Sequence, residues 1–260
     1  MMLELHPDPS SGAVDPAAAV AAEPRRRRDG RPWIMSNMIV SADGATAIDG
    51  RSGGLGSAPD RAMFAALRAV ADAIVVGAET VRSERYRRPT VTDPTARARR
   101  SERGQAPAPR LVIVTGRADL PDDLPLFTDP PRTGSPNESA VVVTTRRAPA
   151  HRVADVGRRA EVVVVDDDRV SVKHLIDVLA ERGCQIGLCE GGPGLNGQFI
   201  AADAFDEWNL TVAPLLVAGA STRPAHGDAL PRPPAPMRLA RVWLGDELLF
   251  CRWVRRTKTS

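Results

Sequence analysis

Short apolar runs alternate with amphipathic segments along most of the chain. Trp33 to Val40, Ala73 to Val76, Leu111 to Val114, Ala140 to Thr144, Glu161 to Val165 and Ile186 to Cys189 are mainly apolar and bounded by turn residues. Runs of that length read as buried strands. Between them, Met63, Ala66, Leu67 and Val70 recur at helical spacing, as do Val172, Leu175, Ile176 and Leu179. These predict helices over 57–71 and 171–182, the first capped by the Ser57 hydroxyl, the second capped by Ser171 and stopped by Gly183. Weaker patterns predict a helix over 149–160, a short one opening at Gly77 to Val81, and one from Pro193 to about Ala202. Residues 92–109 and 119–138 carry no periodicity and read as long loops.

After Asp206 the pattern changes. Glu207 to Ala213, Arg238 to Trp243 and Leu248 to Arg255 read as strands, and Gly245-Asp246-Glu247 as a turn. No helix separates the last two, so they are expected to pair antiparallel. Strands alternating with helices predict the α/β class: a mostly parallel sheet covered on both faces, with an antiparallel hairpin at the C-terminal end.

Composition narrows the possibilities only a little. Residues 1–29 are rich in Ala, Pro and Asp, lack the apolar centre of a signal peptide, and end in Arg25-Arg26-Arg27-Arg28. They read as a disordered tail ahead of a single domain over 30–260, with the arginines as a solvated arm. Aromatic residues make up 4% of the chain, too few for a surface that stacks nucleic-acid bases. The formal charge of +3 suits an anionic small ligand and nucleic acid equally. Cys184, Cys189 and Cys251 form no C-x-x-C pair, which argues against a cysteine zinc site and for a reducing cytoplasm. Neither a metal nor a membrane partner is expected.

The candidate chemistry lies at strand ends, where ligands bind in open parallel sheets. Glu190-Gly191-Gly192-Pro193-Gly194-Leu195-Asn196 leaves a strand through glycines and opens a helix, an arrangement that brings backbone N–H groups to a phosphate. Glu190 either accepts hydrogen bonds from a heterocycle or ties down the next loop. Gly191, Gly192 and Gly194 otherwise serve tight packing; Pro193 and the polar Asn196 suit an exposed helix mouth. Asp43, in Ser41-Ala42-Asp43-Gly44, is a turn former or a reacting group. Thr80 donates to phosphate or caps its helix. Arg117 clasps an adenosine 2′-phosphate or is solvated, with Arg146 and Arg147 as alternatives. Arg82, Arg85, Arg87 and Arg88 make one exit strongly cationic. Histidines lack metal or nucleophile spacing, and no hydrolase or P-loop motif occurs, so redox chemistry with a bound nucleotide fits best.

Arg31-Pro32-Trp33, Ser41-Ala42-Asp43-Gly44, Leu67-Arg68-Ala69 with Asp72-Ala73-Ile74, Gly77-Ala78-Glu79-Thr80-Val81, Glu190-Gly191-Gly192 and Ala213-Pro214-Leu215-Leu216 follow one another in the order seen in a known family. Over about 31–255 the chain resembles the reductase domain of bacterial riboflavin biosynthesis, which is dihydrofolate-reductase-like. The resemblance implies a three-layer fold with about nine strands, NADPH as hydride donor, and a homodimer. It implies reduction of 5-amino-6-(ribosylamino)uracil 5′-phosphate, the alternative being dihydrofolate-type reduction of a pteridine. Ile39, Thr46, Thr80, Glu84 and the turn after Gly191 would meet NADPH. Arg68, Glu190, Gly53 and Gly54 would line the substrate side, with Asp43 near the reacting centre as one possible acid.

Two departures stand out. The family's deaminase partner carries H-x-E and P-C-x-x-C, and neither is here, so no deamination is expected. Where the family commonly reads Asp-x-Pro-x-Leu-x-x-Arg, this chain has Glu84-Arg85-Tyr86-Arg87-Arg88-Pro89. Tyr86 and Arg88 are then the substrate contacts of that segment, with Tyr86 stacking on the ring in the pteridine alternative.

Overall fold

A computed structural model describes residues 2–9, 12–132, 134–227 and 234–256. In chain order the first elements are β1 (Met2–His6), α1 (Pro16–Ala22), β2 (Trp33–Ser41), α2 (Ala58–Val70), β3 (Ala73–Gly77), α3 (Ala78–Ser83) and α4 (Pro94–Glu102). Then come β4 (Arg110–Val114), α5 (Pro125–Thr128), β5 (Val141–Thr145), α6 (Ala150–Gly157), β6 (Glu161–Val165) and α7 (Val172–Glu181). The last are β7 (Ile186–Cys189), α8 (Pro193–Ala201), β8 (Glu207–Ala213), β9 (Met237–Gly245) and β10 (Leu248–Arg255). The α/β class and the antiparallel pairing of the last two strands agree with the expectation.

The chain divides into two compact units. The second comprises 26–32 and 68–188, and the first comprises the rest. In the second unit the strand order is β7-β3-β4-β5-β6. β3 to β6 pair in parallel, as strands joined by helical crossovers must. Val141, Val142 and Val143 of β5 have no exposed surface, which is why the run contains no polar alternation.

In the first unit the order is β1-β9-β10-β8-β2. β2 and β8 pair in parallel, while β8, β10, β9 and β1 are successively antiparallel. Among the described residues the expected nine strands become ten because of β1, and within the expected tail Met2–His6 and Pro16–Ala22 form β1 and α1. Met2 is buried, and β1 pairs with β9 from Met2 opposite Gly245 to His6 opposite Val242. Asp15 caps α1 with its carboxylate. The arginine run is not a solvated arm at its first member: the Arg25 side chain is 2% exposed and ion-paired to Glu207 at 2.8 Å.

Two other expectations change. The loop expected over 92–109 contains α4, capped by Asp93 with a proline in its first turn, and with Ala96 and Arg100 buried. Arg100 Nη1 donates to the carbonyls of Ala69 (2.9 Å) and Ala71 (2.7 Å), and Gln105 donates to that of Val70 at 3.0 Å. They serve the C-terminal carbonyls of α2, which have no partner within the helix. Ser57 does not cap α2 with its hydroxyl: its Oγ is buried without a hydrogen-bond partner, while its carbonyl accepts from Arg61.

Candidate functional site

In the first unit the glycine turn is built as the sequence suggests. β7 ends at Cys189, Glu190 follows at 6% exposure, and Gly192 is the N-cap of α8 with Pro193 in its first turn. Gly191 has φ +78° and precedes a cis peptide. Its positive φ favours glycine; a Cβ there would meet Asn196 Nδ2 and Met38 Sδ at 3.4 Å, an ordinary contact. The amides of Gly194 and Leu195 lie in the helix's first turn, where no i−4 carbonyl precedes them. Backbone donors and the positive end of α8 together suit an anion.

Asn196 is not at an exposed mouth. It is fully buried; its Nδ2 donates to the Pro224 carbonyl at 2.7 Å, and its Oδ1 accepts from the Cys189 thiol at 3.3 Å. Its side chain is therefore engaged with the protein on both polar atoms. Burial pushes the Cys189 thiol up to about 12, so it acts here as a donor and not as a thiolate.

Asp43 changes role as well. The Ser41 hydroxyl donates to its Oδ1. The amide of Ala218 donates to Oδ2 at 2.7 Å, and that of Val217 lies 3.2 and 3.3 Å from the two oxygens. The Ser41 hydroxyl, then these two amides, lower the carboxyl from 3.8 to about 2. A carboxyl so held is ionised at neutral pH.

Thr46 is likewise engaged. Its hydroxyl donates to the Thr222 carbonyl at 3.0 Å, and the Ser221 hydroxyl accepts from the amides of Thr46 (3.1 Å) and Ala47 (3.3 Å). The segment common to these contacts is the strap after β8, residues 214–227. Its far end lies on α8: the His226 amide donates to the Pro193 carbonyl at 3.1 Å. A Cβ on Gly197 would fall 1.9 Å from the His226 carbonyl oxygen, so only glycine lets the strap approach. Pattern reading missed the strap because it contains no periodic element; the Ala213-Pro214-Leu215-Leu216 run that opens it was the available signal. Of the remaining candidates in this unit, Ile39 is half-buried on β2, and Gly53 and Gly54 are exposed in a 3-10 turn.

In the second unit Arg68 and Tyr86 come together. The Arg68 guanidinium carbon lies 5.6 Å from the Tyr86 ring centroid, within cation–π range. The ring expected to stack on a ligand thus stacks on an arginine. The cationic exit of β3 is consumed by the segment 119–138. Arg82 donates to the Asp119 carbonyl at 2.7 Å, Arg85 pairs with Asp123 at 3.2 Å, and Arg87 pairs with Asp129 at 2.6 Å. Arg88, expected to hold substrate, donates instead to the carbonyls of Asp129 (3.2 Å) and Glu138 (2.9 Å). Thr80 does not cap α3, whose N-cap is Gly77; Glu84 is the C-cap.

Arg117 is exposed beyond β4, and its side chain has no hydrogen bond or ion pair among the described residues. Arg146 and Arg147 are paired to Asp166 and Asp168 of the acidic turn, at 2.8 to 3.2 Å. Among the described residues no group of three or more His, Cys, Asp or Glu is placed to hold a metal, and no helix is long and apolar enough to cross a membrane.

The family model described as the RibD C-terminal domain matches residues 32–247. The 2,5-diamino-6-ribosylamino-4(3H)-pyrimidinone 5′-phosphate reductase of Archaeoglobus fulgidus is 30% identical over 190 residues, 73% of this chain and 83% of that protein. Riboflavin biosynthesis protein RibD of Mycobacterium tuberculosis is 30% identical over 212 residues, 79% of this chain and 50% of that protein. Among solved structures, a pyrimidine reductase-like protein from Corynebacterium diphtheriae has a TM-score of 0.76 at 26% identity, over 87% of this chain and 93% of that one.

Proposed function

Since the chain belongs to the RibD C-terminal domain family, we propose that it is an NADPH-dependent reductase of a ribosylaminopyrimidine 5′-phosphate in riboflavin biosynthesis. One observation carries this reading. The 30% identity extends over 83% of a protein named for that reduction, and the family model's match over 32–247 includes the glycine turn whose geometry suits a phosphate. The substrate's ribose is reduced to a ribityl chain. Its ring is the uracil of the resemblance or the diaminopyrimidinone of the archaeal relative, which differ in carrying oxygen or an amino group at one ring position.

NADPH, when bound, supplies the hydride. The backbone from Gly191 to Leu195 fits its diphosphate, because small residues leave the amides open and α8 adds a positive end. Arg117 is the better candidate for the 2′-phosphate, since Arg146 and Arg147 are already paired. Glu190 accepts from a ring N–H or amino group and so orients the heterocycle. With Asp43 held as an anion, the proton comes from water. Arg68, over the Tyr86 ring, is the candidate for the substrate phosphate. A homodimer belongs to the same proposal, supported by Leu216, an apolar side chain 84% exposed on the strap. Cytoplasmic residence belongs to it too, supported by three free thiols.

Loss of NADPH absorbance on adding each pyrimidine, with dihydrofolate in parallel, tests the reading. Turnover of a pyrimidine and none of dihydrofolate is expected. The reverse result would replace the pyrimidine by a pteridine. Arg117→Ala is expected to cut the preference for NADPH over NADH about tenfold, from the lost charge-assisted pairing. An unchanged ratio would move the 2′-phosphate elsewhere.

A further inference from the structure

We infer that Asp43 is a positioning residue for the cofactor site, acting through the strap 214–227 and not on the reacting atoms. The inference rests on the reading of the Gly191–Leu195 turn as an NADPH cradle. Asp43 sits just past the end of β2 and makes no use of its charge on another side-chain charge. Its carboxylate instead grips two consecutive strap amides, those of Val217 and Ala218. Ala218 has φ +56°, an unfavourable backbone for a residue with a Cβ. Two converging amides and one carboxylate hold it there.

From that anchor the strap runs through a second, at Thr46, where Ser221 and Thr222 dock. It then reaches the cradle itself. Asn196, fully buried, takes the Pro224 carbonyl. Pro193, in the first turn of α8, takes the His226 amide. The His226 imidazole carbon Cε1 comes to 3.5 Å from where a Gly194 Cβ would be. The strap therefore forms one wall of the turn that cradles phosphate, and its start is fixed by the Asp43 carboxylate.

This arrangement predicts a coupling with two handles. Asp43→Asn removes the charge that the amides grip, at the strap's first anchor. Gly197→Ala places a Cβ within 1.9 Å of the His226 carbonyl oxygen, so the strap must lift from α8 at its last anchor. The two positions lie at opposite ends of the strap's contacts. Both are expected to weaken NADPH binding, because both release the same wall.

The experiment is titration of the purified full chain with NADPH, followed by fluorescence, for wild type, each single variant and the double variant. Melting curves check that each remains folded. Each single variant is expected to raise the Kd about tenfold, equivalent to about 1.4 kcal/mol of lost positioning. The double variant is expected to do little more than either alone, because a wall already released cannot be released again. Single-variant affinities equal to wild type, or a double variant whose loss is the product of the two, would overturn the inference. Failure of the wild type to bind NADPH would instead remove the reading beneath it. Asp43→Glu, which keeps the charge on a longer stem, is expected to recover part of the affinity; no recovery beyond Asp43→Asn would also count against the role.

Discussion

The charged groups that the sequence marks at strand exits are of opposite sign in the two units, although Arg255 in the first also donates to the Phe205 carbonyl and Asp72 in the second accepts from the Ile186 amide. In the first, carboxylates do the gripping. Asp43 takes strap amides at the surface, and Glu207 lies fully buried between Arg25 and Arg252 while accepting from the Trp33 indole and the Asn209 amide. In the second, guanidiniums do it. Arg82, Arg85, Arg87 and Arg88 hold the 119–138 segment, and Arg100 is buried on the carbonyls that end α2. Charge at a strand exit is thus weak grounds for naming a ligand contact. Asp43 and Arg88 were both such candidates, and both spend their charge on backbone groups of a neighbouring loop.

The largest effect expected from breaking this contrast is at Glu207. Burial alone would raise its carboxyl, but Arg25 and Arg252 outweigh that and hold it at about 2. Glu207→Gln leaves the buried Arg25 guanidinium without its anion and Arg252 with Glu23 alone, and is expected to cost about 3–5 kcal/mol, read as a lower midpoint in denaturant. Arg100→Met comes next. It keeps the apolar stem but strips the α2 carbonyls of their donor, at an expected cost of about 2–3 kcal/mol. No change in either case would mean that water serves these groups as well as the protein does.

Acid sharpens the contrast without mutation. Asp43 and Glu207 have folded-state pKa values lowered to about 2 from 3.8 and 4.5. Their contribution is therefore complete above about pH 4.5 and is lost as pH falls toward 2. Hydrogen exchange should show the Val217 and Ala218 amides losing protection across that window. Arg100 donates to carbonyls, which acid does not protonate in this range, so the last turn of α2 should keep its protection. The smallest effect expected is for Arg85→Ala, an exposed pair with Asp123 worth no more than about 1 kcal/mol.

β3, β4 and β5 were legible because largely β-branched runs buried on both faces admit little else. α7 was legible because its apolar face, its Ser171 cap and its Gly183 stop agree; His174 completes the cap by accepting from the Ser171 amide. α4 was not, since its buried face is an alanine and an arginine, and hydrophobic periodicity cannot register an arginine that folds onto carbonyls. The cap Asp93 with Pro94 behind it was the one usable signal. β1 was hidden by its brevity and by a burial pattern without clean alternation. In the candidate site, the glycine turn was legible from local chemistry alone. The role of Asp43 was not, because its partner amides lie 174 and 175 residues further along the chain.

Glu207 bears on how the protein is handled. Arg25 stands in a stretch that composition would mark for trimming, and Glu23 beside it pairs with Arg241 and Arg252 at 2.7 Å. Cutting the chain at the apparent domain start, before Arg31, would withdraw both from the first unit in a single step. Glu207 would keep one cation where it now has two, in a place that water does not reach. A shortened protein that aggregates or melts early would then be reporting a severed ion network and not a misjudged loop. Fusion partners and cleavage sites therefore belong ahead of β1.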